Sequence, residues 1–183
     1  MTKSPLRILG TTFTAFLATA CMAEVAEAET PARVTSTDVS ALAMALDDEY
    51  RAEAMYEAVI ALHGEVRPFS NIITAEQRHS QRVREEMDRL GIPHRADNPF
   101  LGEISAPSSL LEACEQGVQA ETENIALYDE ILPTIVDVQV KATLSDLQWA
   151  SKERHLAAFQ RCVDRGGEPG MGQGHNGRRG RQN

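Results

Sequence analysis

The chain has 183 residues, of which 42% are hydrophobic and 25% charged, with a formal net charge of -9 at pH 7. That length suits one domain with a sizeable core plus tails, and few aromatics beside many Ala, Leu, Glu and Gln favour helix over sheet. The acidic balance argues against a nucleic-acid partner, which needs a basic face, and suits a chain that attracts cations.

Residues 1–28 read as an export signal. Lys3 and Arg7 form a positive start, "ILGTTFTAFLATA" is a short apolar run, and Ala18-Thr19-Ala20 and Ala26-Glu27-Ala28 offer small-x-small cleavage sites. The run is too short for an ordinary spanning helix, so no stable membrane insertion of the mature chain is expected. Cys21 after "LATA" raises a lipoprotein alternative, opposed by Ala18 where a large aliphatic residue is usual. The expected location is periplasmic or extracellular. Once Cys21 is removed or lipidated, Cys114 and Cys162 remain as an even pair, which an oxidising compartment allows.

A polar lead-in, 29–36, precedes a helical region over 37–163. Its first helix, about 38–63, carries Leu42, Leu46, Tyr56 and Ile60 on one stripe, with Thr37 as the expected N-cap and Gly64 as the stop. The second, about 68–90, opens with Pro68 in its first turn and ends at Gly91. Residues 91–108 contain Pro93, Pro99 and Pro107 and no usable periodicity, so they form a long connection. Ser108 is the expected cap of a third helix, about 109–132, which Pro133 interrupts. Asp137 opens the fourth, about 138–162. Residues 164–183 are Gly- and Arg-rich, lack an apolar face and read as a disordered tail. Two tight hairpins joined by one long crossover describe an all-α, antiparallel four-helix bundle of the ferritin-like kind.

The side chains sharpen that reading. "EYRAEAMY" (49–56) and "ETENIALY" (121–128) share Glu at the first position and Tyr at the eighth, and each precedes an Arg-His pair, Arg78-His79 and Arg154-His155. On helices, Glu49, Tyr56, Glu121 and Tyr128 fall on inward stripes, as do Glu76, three residues before His79, and His155. Buried bare carboxylates cost several kcal/mol each, on the order of the ionic desolvation penalty. A pair of divalent ions removes that penalty, since carboxylate and imidazole suit iron or manganese. The predicted metal ligands are therefore Glu49, Glu76, His79, Glu121 and His155, with the Tyr56 and Tyr128 hydroxyls orienting carboxylates.

This arrangement follows the ferritin-like di-metal pattern of one Glu from each of two helices and a Glu-x-x-His from each of the others. "DDEYRAEAMYEAVI", "VRPFSNIITAEQRH", "ENIALYDEILP" and "LQWASKERHLAAFQRC" together resemble the ferritin-like family known as domain of unknown function 2202, over about residues 37–163. The resemblance implies a rubrerythrin-like bundle and supplies no reaction. One departure stands out: Lys152 holds the position three before His155 where a Glu is expected, and Glu153 points elsewhere. Lys152 either pairs with a core carboxylate or leans outward and leaves a coordination position open. Glu53 is a candidate replacement ligand and Asn124 a candidate neutral oxygen donor.

Cys114 lies seven residues before Glu121 and Cys162 seven after His155, which on antiparallel helices brings both to one end of the hairpin. A disulfide is expected, two buried free thiols being the alternative. Three functional readings follow. The first is ferroxidase- or peroxidase-type redox chemistry on two irons with a small oxidant. The second is a metal-binding or storage protein without turnover, holding manganese or a single ion. The third is a metal-free helical scaffold in which Lys152 pairs the core carboxylates. A homodimer is compatible with each. The absence of Cys-x-x-Cys pairs excludes a rubredoxin-type iron centre.

Overall fold

The computed structural model describes residues 34–168; residues 1–28, expected to be an export signal, with Cys21, and the chain beyond 168 lie outside the described residues. All secondary structure among the described residues is helical: α1 Ser36–His63, α2 Phe69–Arg89, α3 Leu110–Ile131, α4 Val138–Ala150 and α5 Leu156–Asp164. A short 3-10 turn, Leu132–Thr134, follows α3, and a π-helical turn, Ser151–His155, joins α4 directly to α5. No helix among them is long and apolar enough to cross a membrane.

The helix ends depart from the expected caps at two places. Thr35, not Thr37, caps α1, because only from position 35 does Asp38 fall at the third helical residue. Thr35 Oγ1 accepts from the Asp38 N–H at 3.1 Å, and Asp38 Oδ2 accepts from the Thr35 N–H at 3.2 Å, a reciprocal capping box. Ser109, rather than Ser108, caps α3 by accepting from the Glu112 N–H at 3.2 Å. Asp137 caps α4 through the N–H groups of Gln139 and Val140. Gly64 closes α1 at φ 84°, a backbone conformation that a Cβ disfavours.

Helix α1 packs along α2, and α3 along α5, with further contacts from α4 to α2 and α3. Apolar residues form two clusters. One gathers Leu42, Leu46, Val83, Met87, Leu144 and Leu147; the other gathers Val59, Phe69, Ile72, Phe159 and the cysteines. Cys114 and Cys162 are disulfide-bonded with Cα atoms 5.9 Å apart, tying α3 to α5 inside the second cluster. Nearby, a Cβ at Gly117 would collide with the Phe159 ring, so glycine permits this close approach.

The connection between α2 and α3 is held by polar contacts. Tyr50 donates to the Arg95 carbonyl at 3.0 Å, and Asn98 donates to the Tyr50 carbonyl at 2.7 Å. Each long helix thus reads apolar, then polar, then apolar along its inner face, and the polar stretches lie between the two clusters.

Candidate metal centre

Five buried side chains fill that polar layer. Helix α1 supplies Glu49, α2 supplies Glu76 and His79, α3 supplies Glu121, and the π turn supplies His155; none is more than 8% exposed. Three residues separate Glu76 from His79, so helical periodicity alone puts both on one face. Their ligand atoms form two overlapping groups, Glu49–Glu76–His79 and Glu76–Glu121–His155, each close enough to hold one metal ion.

Glu76 joins the halves. Its Oε2 lies 3.0 Å from His79 Nδ1, and its Oε1 lies 3.0 Å from His155 Nδ1. Glu49 Oε2 completes the first group at 3.2 Å from His79 Nδ1, and Glu121 Oε2 the second at 3.6 Å from His155 Nδ1. The two halves differ in one respect. His79 makes aligned hydrogen bonds to both carboxylates, whereas Glu76 Oε1 and His155 Nδ1, although close, are out of line and have no hydrogen-bond partner. A buried carboxylate oxygen and ring nitrogen that converge without an aligned hydrogen bond are groups a cation would satisfy.

The tyrosines cross over between helices. Tyr56 of α1 donates to Glu121 Oε1 of α3 at 2.7 Å, and Tyr128 of α3 donates to Glu49 Oε1 of α1 at 2.7 Å. Burial and the adjacent carboxylates push both phenols well above their ordinary pKa, so each stays a proton donor. Each outer carboxylate therefore has one oxygen held by a tyrosine and the other left to face the imidazoles.

Without a metal, the two histidines offset part of the charge of the three carboxylates. Burial opposes a charged His79, but contacts with Glu49 and Glu76 outweigh it and lift the pKa to about 9. For His155 burial again opposes, and Glu121 and Glu76 lift it to about 10. Glu49 is pushed up to about 7 by burial and by the neighbouring charge of Glu76. Burial also works against Glu76, yet its two histidines hold it below the usual carboxylate range.

The remaining candidates take other places. Lys152 is exposed and makes no ion pair with a core carboxylate, so of its two alternatives the structure shows the outward one and not the pairing. The π turn is the physical reason. Its wider winding, marked by the Leu156 N–H bonding to the Ser151 carbonyl, makes Ser151, four before His155, the inward residue. Ser151 is 2% exposed. Glu53 is likewise not brought into either group; it accepts from Asn98 at 2.9 Å. Asn124 is buried beside the site, with its Nδ2 donating to Asp48 and its Oδ1 unpartnered. Burial raises Asp48 to about 6 against the opposing Asn124 hydrogen bond.

A cavity of about 210 Å³ reaches this layer from one side. Glu76, Glu121, Tyr56, Asn124, Asp48 and Ser151 are among the residues that line it, whereas Glu49 and His79 are not. Sequence reasoning missed Ser151 and Asp48. The signal for Ser151 was the broken Glu-x-x-His itself, since a lysine at an inward site implies a change of helical register.

No protein-family model matches the chain, and no curated protein matches it either. Among solved structures it is similar to a hypothetical protein from Methanococcus jannaschii DSM 2661, at 21% identity and a TM-score of 0.66. That likeness covers 73% of this chain and 83% of the other. It bears on the fold alone.

Proposed function

We propose that the protein is an exported, ferritin-like antiparallel four-helix bundle of the domain of unknown function 2202 kind, holding two iron ions that react with oxygen or peroxide. One observation carries this reading: both oxygens of a single buried carboxylate, Glu76, each lie 3.0 Å from a different imidazole nitrogen. Glu49 and Glu121 add a second carboxylate to each half. The donor set, three carboxylates and two imidazoles, suits iron or manganese.

Bound iron would supply the electrons that reduce the oxidant. The chain's own groups do the rest. Glu76 spans the two positions, and Tyr56 and Tyr128 hold Glu121 and Glu49 in orientation. His79 and His155 give up their Nδ1 protons when a cation replaces them. The apolar clusters on either side keep water from most of the layer, and the cavity leaves one approach for a small oxidant. The Cys114–Cys162 disulfide agrees with an exported chain.

The decisive measurement is metal content by plasma mass spectrometry after anaerobic loading with Fe(II) or Mn(II) and desalting. Two ions per chain, lost together in Glu76→Ala, are expected. One ion per chain would reduce the centre to a single-metal site, and retained metal without peroxide-dependent oxidation would make it a store. No retained metal would overturn the reading. The carboxylate–imidazolium contacts favour a second reading in that event: a metal-free scaffold in which His79 and His155, not Lys152, balance the core carboxylates.

A further inference from the structure

We propose that the coordination position left by the missing Glu is filled from outside the chain, by a small monoanion of the carboxylate class seated in the cavity against Ser151. This inference rests on the two-metal reading above.

The space is provided locally. The π turn carries Lys152 out to solvent and brings in Ser151, whose side chain is far smaller than a Glu. The cavity at that point has about 210 Å³, room for a carboxylate group and a short substituent. It touches Glu76, which both groups share, and Glu121 of the second group, and neither Glu49 nor His79 of the first. Two buried polar atoms of its lining residues lack partners, Glu76 Oε1 and Asn124 Oδ1, and the likewise unpartnered His155 Nδ1 lies 3.0 Å behind Glu76 Oε1.

Charge selects the ligand class. Two divalent ions bring four positive charges, and Glu49, Glu76 and Glu121 return three when His79 and His155 are neutral. One positive charge remains in a layer enclosed by apolar clusters, where uncompensated charge is costly. No neighbouring acid is free to cancel it by binding directly. Glu53 is held by Asn98, Asp48 is engaged by Asn124, Glu123 is exposed and accepts from Gln119, and Glu153 is exposed. A monoanion cancels the charge, and the Ser151 hydroxyl can donate a hydrogen bond to its second oxygen.

In the metal-free protein the cavity lining carries Asp48, Glu76, Glu121 and Glu123 against Arg51, a balance that disfavours an anion. Anion and second metal therefore bind together, and each must tighten the other by the same factor. Short organic acids and bicarbonate share the required head group.

The test is calorimetric titration of the purified protein with Co(II), followed in parallel by visible absorption, in acetate, bicarbonate or chloride at equal ionic strength. Acetate or bicarbonate is expected to tighten the second cobalt by about tenfold and to change its spectrum, with chloride inert. The more effective of the two identifies the source. In Ser151→Glu the chain supplies the carboxylate, so both ions should bind tightly in every salt. Ser151→Leu, which fills the cavity, should lose the anion effect while keeping the first cobalt, and it serves if the Glu variant does not fold. Two cobalts bound equally in all three salts would overturn the anion seat alone, as would an undiminished anion effect in either variant. No cobalt bound in any salt would overturn the two-metal reading and the seat with it.

Discussion

The imidazole rings of His79 and His155 lie nearly parallel, with centroids 5.5 Å apart and 23° between their planes. They come from helices far apart in sequence and face the same carboxylate, Glu76, which gives one oxygen to each. Two stacked imidazolium ions would repel; Glu76 between them, with Glu49 and Glu121 outside, makes the stack stable. A metal pair would replace the two protons with two larger charges in the same places.

That exchange sets a pH dependence. Folded-state pKa values of about 9 for His79 and about 10 for His155 exceed the ordinary 6.5, so the folded protein holds these protons more tightly than the unfolded chain. Their contribution is fully present below about pH 6.5 and is lost as pH rises through 9 to 10. Glu49, raised to about 7, acts in the same direction. The Tm of metal-free protein should fall between pH 6.5 and 10, and the extra Tm conferred by metal should grow over that range. Calorimetry of the two forms checks this, and a metal-free Tm that climbs with pH would contradict it.

Lys152 offers a negative control. Because it is exposed and unpaired with the core acids, Lys152→Ala should leave metal stoichiometry unchanged and alter stability by less than about 0.5 kcal/mol. Lys152→Glu should likewise add no ligand, since that position points to solvent on the π turn. A gain of metal in Lys152→Glu would show that the turn rewinds to an ordinary α-helix.

The crossed tyrosines can be separated from their neighbours by deleting one oxygen each. Tyr56→Phe and Tyr128→Phe remove charge-assisted bonds of 2.7 Å and should each cost about 1.5 to 3 kcal/mol in metal-free protein. In loaded protein each should also weaken metal binding by about tenfold, through loss of carboxylate orientation. Urea denaturation reads the first effect and metal competition the second.

The disulfide acts far from the donors in chemistry though close in space. The 48-residue separation between Cys114 and Cys162 gives an expected stabilisation of about 4 kcal/mol by the chain-entropy relation. Cys114→Ser with Cys162→Ser should lower denaturation midpoints accordingly and leave metal stoichiometry intact. Loss of metal at full helicity would mean the bridge sets the spacing of α3 and the π turn.

Asp38 is the largest structural surprise among the acids. It caps α1 with Thr35, and its Oδ1 accepts the N–H groups of Val136 and Asp137 at 2.9 and 3.1 Å, fastening the start of α1 to that of α4. Burial opposes its charge, but these hydrogen bonds hold its pKa below the usual range, so its contribution is present above pH 4 and lost as pH falls further. Asp38→Ala strands two backbone donors and should cost about 2 to 4 kcal/mol at neutral pH, with a smaller cost in acid. Thermal melts at pH 3 and pH 7 test both the size and the sign.

The helices, their approximate limits and the inward placement of Glu49, Glu76, His79, Glu121 and His155 were readable from residue order, because an α-helix converts a three- or four-residue spacing into a shared face. The pairing of Cys114 with Cys162 followed from equal offsets along neighbouring helices. Three features lay outside the periodicity. Thr35 displaced Thr37 through its local Thr-x-x-Asp box, and the distant backbone of residues 136 and 137 adds to the hold on Asp38. The π turn at Ser151–His155 shows in the sequence only as the broken Glu-x-x-His, because the extra residue is accommodated where both flanking helices keep their packed faces. With that extra residue, Lys152 leaves the core and Ser151 enters it, and the cavity opens beside Ser151, Glu121 and the shared Glu76. Periodicity can be read from one strand of text; a break in periodicity depends on what the rest of the chain packs against it.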